Sequence, residues 1–291
     1  MVFVGYGERS SPGQPEGLTH NMIRGRVAYL GVRANTVITT QSKTHRANIR
    51  TARRELGQIF DYSSVVVWEG NSPVNGDPIV AVVTNLKLAS ENRKTGDMAQ
   101  MYIMPRDSRP VDSISNGDDA AVCGACPLRP VAAKIARAAG NDADVCYVNK
   151  GWLGRQWDSI PNLPRVSPEE VGKFLTETGL EFREGAWGDP ATVPMEVRRA
   201  LNVGRGTSYT HQWNTDWVED DVAEFSMASV QTVDEKNAAN AKGYRTYRVT
   251  EGELETDEIL CPEITNNANC KDCGLCAGNR VQAKNIVIRP I

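Results

Sequence analysis

From Val145 onward the apolar positions fall into short, β-branched runs, each closed by polar residues and followed by a stretch of helical character. The runs are Val145 to Val148, Leu180 to Trp187, Ser208 to Trp213, Glu224 to Val230, Tyr244 to Thr250 and Glu258 to Pro262, all of strand length. Helix signals stand between them. Ser167-Pro168-Glu169-Glu170 supplies a cap, a proline at the first helical position and two acids in the first turn, which predicts a helix to about Thr178. Pro194 opens a second, carrying Met195, Val197, Arg198 and Leu201, and the Ala-rich stretch from Val233 to Lys242 stops at Gly243. Strands alternating with short helices predict an α/β fold of parallel βα units, forming a partial or complete TIM-like barrel.

Upstream the pattern changes. Ser10 to Gly17 is rich in Ser, Gly and Pro and reads as a loop. Val27 to Leu30 and Thr36 to Thr40 read as strands, and Lys43 to Ile59 as a helix. Val65 to Trp68 and Ile79 to Val83 read as buried strands joined by a turn over Asn71 to Pro78, with one more strand from Met98 to Met104. The expected organisation is an N-terminal α/β region over 1–119, separate or the first part of the barrel, a βα core over 120–260 and a Cys-rich cluster-binding segment over 261–291.

Composition sets the setting for this scaffold. The chain has 291 residues, 40% hydrophobic and 24% charged, enough for a sizeable core without disulfide staples. No apolar run approaches the ~18 residues of a membrane span, so no membrane contact is expected. The start of the chain lacks a signal-peptide pattern, which predicts a cytoplasmic protein. A net charge of -3 gives no global attraction for nucleic acid. Lys43, Arg46, Arg50, Arg53 and Arg54 do form a basic face against Glu55, a candidate for weak phosphate or nucleic-acid contact, though most such faces are simply solvated. Lys94-Thr95 resembles part of a phosphate loop without the Walker pattern, leaving Lys94 as a candidate cofactor contact and excluding a P-loop hydrolase.

The seven cysteines carry the chemistry. An odd count in a long chain with no export signal disfavours a disulfide framework and favours metal ligation. Cys261, Cys270, Cys273 and Cys276 read C-x8-C-x2-C-x2-C, four thiolates within sixteen residues and a complete shell. Gly274 after the third of them tolerates the backbone conformation that wrapping a cluster needs. Such spacing resembles ferredoxin-type loops around a [4Fe-4S] cluster, with structural zinc as the rival. Cys123, Cys126 and Cys146 read C-x2-C-x19-C and supply three ligands with no local fourth. Three thiolates leave one iron open, and three plus four accounts for every cysteine. The alternative is that Cys123 and Cys126 join Cys273 and Cys276 in one split zinc knuckle, leaving the rest as packing residues.

Parallel sheets place chemistry at the carboxyl ends of their strands. Cys146, Asp189, His211, Ser229 and Cys261 occupy equivalent places in successive units and are expected around one mouth. Asp189 and His211 are the candidate catalytic residues, and Gln212 and Ser229 candidate cofactor contacts. The plainer reading is that an Asp before Pro forms a turn and a lone His is hydrogen-bonded structure.

Cys123-Gly-Ala-Cys126-Pro, Cys146-Tyr-Val, Gly188-Asp-Pro-Ala, Thr210-His-Gln-Trp213, Met227-Ala-Ser-Val230 and the closing C-x2-C-x2-C resemble a family of Cys-rich proteins encoded in bacteriophage genomes, over roughly residues 80 to 285. The resemblance implies a viral origin and an infected bacterium as the setting, and brings no activity with it. The three-Cys set is similar to the widely spaced triad of the carbon-phosphorus lyase radical enzyme, although it departs from the usual C-x3-C-x2-C of radical S-adenosylmethionine enzymes. That likeness implies a reducing [4Fe-4S] cluster on Cys123, Cys126 and Cys146 with S-adenosylmethionine on the open iron. In that reading the other four cysteines hold an auxiliary cluster and a reductant protein is a partner, while the viral setting and the basic helix suggest a small molecule, a nucleotide or a nucleic-acid base as substrate. The alternatives are a zinc-stabilised barrel resembling nucleobase transglycosylases, with Asp189 as nucleophile or acid-base group, and a metal-stapled binding or virion protein without enzymatic activity.

Overall fold

The computed structural model describes residues 47–52, 62–87, 92–141, 146, 148, 150–202, 204 and 206–290. The fold is mixed α/β, with two five-stranded sheets. The first contains β1 (Val65–Asn71), β2 (Pro78–Thr84), β3 (Ala99–Pro105), β4 (Phe182–Trp187) and β5 (Gly206–Thr207), in that order. β1, β2 and β3 run antiparallel, and β4 and β5 join parallel to β3. The second sheet contains β6 (Tyr209–Thr210), β7 (Met227–Val230), β8 (Thr246–Val249), β9 (Glu258–Leu260) and β10 (Asn285–Ile288) in the order β6-β7-β8-β10-β9 and is parallel throughout.

β2 shows why the first sheet forms the main core. Its run Ile79-Val-Ala-Val-Val83 is fully buried on both faces, as an uninterrupted apolar strand must be to stay in a sheet. Val171, Phe174 and Leu175 of α5 pack on that core, where α1 (Pro110–Asn116), α2 (Ala120–Cys123), α3 (Pro130–Ala138), α4 (Leu153–Ser159) and α5 (Pro168–Thr178) are the helices between β3 and β4. α5 begins with the expected Ser167 cap, completed as a capping box by Glu170, and ends at Gly179 in the left-handed conformation. α6 (Met195–Leu201), α7 (Val222–Phe225) and α8 (Val233–Ala241) follow, α8 with a second capping box between Thr232 and Glu235. Two short helices, α9 (Pro262–Asn266) and α10 (Cys270–Cys273), precede β10.

The sheets meet at Ser208. Only this residue separates β5 from β6; its N–H donates to the Cys276 carbonyl at 3.1 Å and its carbonyl accepts from Met227 at 2.9 Å. Beneath this seam lies a fully buried ion pair, Arg198 to Glu184 at 2.8 Å. Arg198 also donates to the Ser226 hydroxyl at 2.7 Å, which is 2.7 Å from the Ser208 hydroxyl, and Asn202 donates to Glu184 at 2.7 Å. Buried charges must be paired and hydrogen-bonded to be tolerated, and this network ties β4, α6 and β7 to the residue joining the sheets.

Several sequence expectations need adjustment. Glu224 to Val230 is not one strand, because Val222 and Phe225 bury at helical spacing and form α7 before β7 begins. The strand expected from Ser208 to Trp213 starts one residue later, at Tyr209, and stops at Thr210, whose hydroxyl accepts from Gln212 N–H at 2.9 Å and turns the chain. β10 and the helices between 110 and 159 were not foreseen; Pro110 and Pro130 at first helical positions were their signals. Of the predicted 43–59 helix, residues 47–52 are helical, and the predicted strands at 27–30 and 36–40 lie outside the described residues, as does most of the one at 145–148. No helix among the described residues is long and apolar enough to cross a membrane.

Candidate metal sites and adjoining cavity

Cys123 ends α2, and the chain then turns through Gly124 at φ +52°, with Gly124 N–H donating to Ala120 carbonyl at 2.8 Å. A side chain at position 124 would place its Cβ 2.3 Å from Gln212 Oε1, so both the φ and the contact demand glycine. Gln212 grips this loop. Its Oε1 accepts from Ala125 N–H at 2.9 Å, while Nε2 donates to the Cys123 carbonyl at 2.8 Å and to Asp189 Oδ2 at 3.1 Å. Asp189, also buried, accepts from His211 N–H at 2.8 Å and Ala191 N–H at 3.0 Å, and its own N–H donates to the Val122 carbonyl at 2.6 Å. Arg129 braces the same loop through Asp119 at 2.7 Å and the Gly117 carbonyl at 2.8 Å. Cys146 joins it where its N–H donates to the Leu128 carbonyl at 2.7 Å.

The three thiols are electrostatic neighbours. Burial pushes the Cys123 thiol well above its ordinary pKa, with Cys126, Asp119, Asp189 and Cys146 adding to the shift, and pushes Cys126 up to about 12, with Asp189 and Cys146 adding and the Leu128 backbone and Arg129 opposing. Burial favours the protonated form of Cys123 and Cys126, so a metal bound there must displace those protons.

The second set is held differently. Cys261 follows β9 with its N–H on the Val287 carbonyl at 2.8 Å, and Cys270 N–H donates to the Lys94 carbonyl at 2.8 Å. Asn269 caps α10 by accepting from Asp272 N–H at 2.9 Å, and Gly274 closes it at φ +63°, donating to the Cys270 carbonyl at 2.9 Å. This is the conformation for which the sequence placed a glycine there. Two ion pairs clasp the segment to the 92–97 loop, Arg93 with Glu263 at 3.1 Å and Lys271 with Asp97. Burial raises the Cys261 and Cys270 thiols and pushes Cys276 up to about 12, against the hydrogen bond from Tyr209 that lowers it; Lys94 and Arg183 act as opposing positive neighbours of Cys270.

Cys261, Cys270, Cys273 and Cys276 all line one cavity of about 680 Å³, together with Lys94, Arg183, Gln100, Tyr102, Tyr209 and Tyr247. That volume lies within the ~300–1,000 Å³ of small-molecule sites. Cys123 has Cys126 and Cys146 as electrostatic neighbours, and Cys276 has Cys261, Cys270 and Cys273. Thiolates alone make up each donor set, a chemistry that suits iron-sulfur clusters and zinc equally. Among the described residues, no three or more His, Cys, Asp or Glu side chains are drawn together to hold a single metal ion.

The other candidates separate. Asp189, His211 and Gln212 gather at the three-Cys loop, and Lys94 lines the cavity. Ser229 does neither; its carbonyl accepts from Trp213 Nε1 at 3.1 Å. Burial lowers the His211 pKa, partly offset by the Asp189 and Glu235 carboxylates. Arg50 is exposed on its helical stretch, while Lys43, Arg46, Arg53 and Arg54 lie outside the described residues. Sequence reading missed Arg183, Thr207, Tyr209 and Gln100. For Gln100 the signal was an alternation of polar with apolar residues inside a strand otherwise buried, at Ala99-Gln100-Met101.

Comparison of the chain with protein-family models, with curated proteins and with solved structures finds no match.

Proposed function

We propose that the chain is an iron-sulfur protein resembling the radical S-adenosylmethionine enzymes, with a three-thiolate centre at Cys123, Cys126 and Cys146 and a four-thiolate centre at Cys261, Cys270, Cys273 and Cys276. What supports this reading is that Cys123 has Cys126 and Cys146 as electrostatic neighbours while Cys276 has Cys261, Cys270 and Cys273, in keeping with the three and four that the spacing implies. In this reading the two sheets, continuous through Ser208, form the wall of a partial barrel, and the cavity is the substrate site. Bound clusters supply one-electron chemistry, directed at S-adenosylmethionine on an open iron.

The chain's own residues set up that chemistry. Gln212 and Asp189 are positioning residues, fixing the backbone from which Cys123 and Cys126 project. Tyr209 donates to the Cys276 sulfur, and Lys94 and Arg183 set positive charge beside the four-thiolate set. Val148, two residues beyond Cys146, lines the cavity and gives the three-thiolate centre its approach to substrate. A small molecule or nucleotide is the substrate, and a reductant protein the electron source. Asp189 commits both carboxylate oxygens to hydrogen bonds, which weighs against its service as nucleophile in a zinc-stabilised, nucleobase-exchanging barrel.

The test is iron, zinc and acid-labile sulfide content, with a visible spectrum, on protein purified without oxygen. About eight iron and eight sulfide per chain, bleached by dithionite, is the expected result and leads to assay of S-adenosylmethionine cleavage. Zinc without iron overturns the proposal.

A further inference from the structure

We infer that the cavity contains an anion subsite, centred on Arg183 with Thr207 and Thr95, which anchors the carboxylate or phosphate group of a small substrate. This rests on the reading of the cavity as a substrate site. Strand register carries the argument. Thr84 pairs with Gln100, Gln100 with Arg183, and Arg183 with Thr207, so four adjacent strands set these residues side by side. All four line the cavity, making a polar row across a sheet whose other buried positions are largely apolar.

Such a row is costly to bury unless its hydrogen-bonding groups are used. Thr84 uses its hydroxyl on the Gln100 carbonyl at 3.3 Å. Arg183 Nε, Thr207 Oγ1 and Thr95 Oγ1 are buried without a hydrogen-bond partner, and Thr95 and Thr207 are each only 4% exposed. One guanidinium donor and two hydroxyls opening on a shared space match an acceptor-only group of planar or tetrahedral oxygens. Lys94 adds a second cation to the wall. The wall's carboxylate, Glu263, has its Oε1 engaged by Arg93. Trp152, 58% exposed, lines the same cavity and offers an indole face to the rest of a ligand. A competing task for Arg183 is to offset the charge of the thiolates near Cys270, and the experiment separates the two.

The experiment is calorimetric titration of the metal-loaded protein with AMP, adenosine and malate. Binding of AMP but not adenosine assigns the subsite to phosphate, and binding of malate alone assigns it to carboxylate; either supports the inference. Arg183→Met is expected to weaken that binding by at least about tenfold with metal content and visible spectrum unchanged, and Arg183→Lys to recover part of it. Thr207→Val and Thr95→Val remove hydroxyls that have no partner, so they are expected to keep the Tm and still weaken binding, which covers the case in which Arg183→Met fails to fold. Absence of binding by all probes up to about 10 mM overturns the inference. So does an Arg183→Met protein that loses metal or changes its spectrum while binding AMP or malate as before. Iron present with no anion bound overturns this inference alone, whereas zinc with an intact anion response overturns only the iron-sulfur reading.

Discussion

The loop carrying Cys123 and Cys126 is held by the buried Gln212 side chain, on the Ala125 N–H and the Cys123 carbonyl, and by the Asp189 backbone N–H on the Val122 carbonyl, and Cys123 packs against the main hydrophobic core. The segment from Cys261 to Cys276 is instead clasped by ion pairs and a backbone contact to the 92–97 loop, and its four cysteines face open space shared with charged and phenolic side chains. The contrast teaches that one arrangement of thiols can be built as part of a core and another as the wall of a chamber. A core loop has its geometry fixed by neighbours that cannot move without leaving polar groups unpaired. A chamber wall keeps room for a ligand, and leaves donors such as Arg183 Nε unspent.

The sharpest way to break this comparison is to remove one thiol from each region. Cys273→Ser is expected to abolish the four-thiolate centre, forfeiting a metal contribution that for structural sites reaches about 10 kcal/mol, while leaving the three-thiolate metal in place. Cys126→Ser should do the reverse, and metal analysis of the two variants decides it. If each variant loses all metal, the regions are not independent.

Next in size is Arg198→Met, which leaves Glu184 charged and unpaired at the seam beneath both regions. It should cost about 3–5 kcal/mol in urea unfolding and weaken both centres together. Gln212→Leu strands the Cys123 carbonyl and the Ala125 N–H, for about 2–4 kcal/mol, and should loosen only the three-thiolate metal. Equal loss from both centres in that variant would show that the clamp is not local. Gly124→Ala should reproduce this selectivity at about 1–3 kcal/mol, since it forces a side chain into the clamp at a left-handed φ.

The smallest effect is a pH dependence. Burial lowers the folded-state His211 pKa below its ordinary 6.5, so the unfolded chain takes up a proton first as the solution is acidified. Stability from this group is full above about pH 6.5 and falls as the pH drops through the folded value. Tm measured from about pH 7 to pH 5 should fall less steeply in His211→Asn than in the parent protein. A parallel pair of curves would remove His211 from the account.

Much of the scaffold was legible in the residues. Capping boxes, first-position prolines and terminal glycines act within a few residues, so α5, α6 and α8 announced themselves locally. The short strand β5, just before Ser208, was not legible, because two residues paired with β4 leave no periodic pattern to read. Asp189 and His211 were expected at one mouth and meet through the His211 N–H, Gln212 beside them was not foreseen, and Ser229 and Cys261 lie apart, Cys261 on the cavity. Equivalent strand ends in sequence need not be neighbours when the sheet order is β6-β7-β8-β10-β9, with the last strand in the chain inserted beside β8.

The residues alone carry the α/β class, the principal helices of the βα region and the glycines that its loops require, because each depends on covalent identity or on contacts a few residues apart. Only the tertiary structure decided that Gln212 and Asp189 clamp a loop about 65 to 90 residues away, that Arg183 stands in a polar row with Gln100 and Thr207, and that four cysteines border a chamber. Those relations depend on strand register and sheet order, which long-range packing selects and no short window of sequence contains.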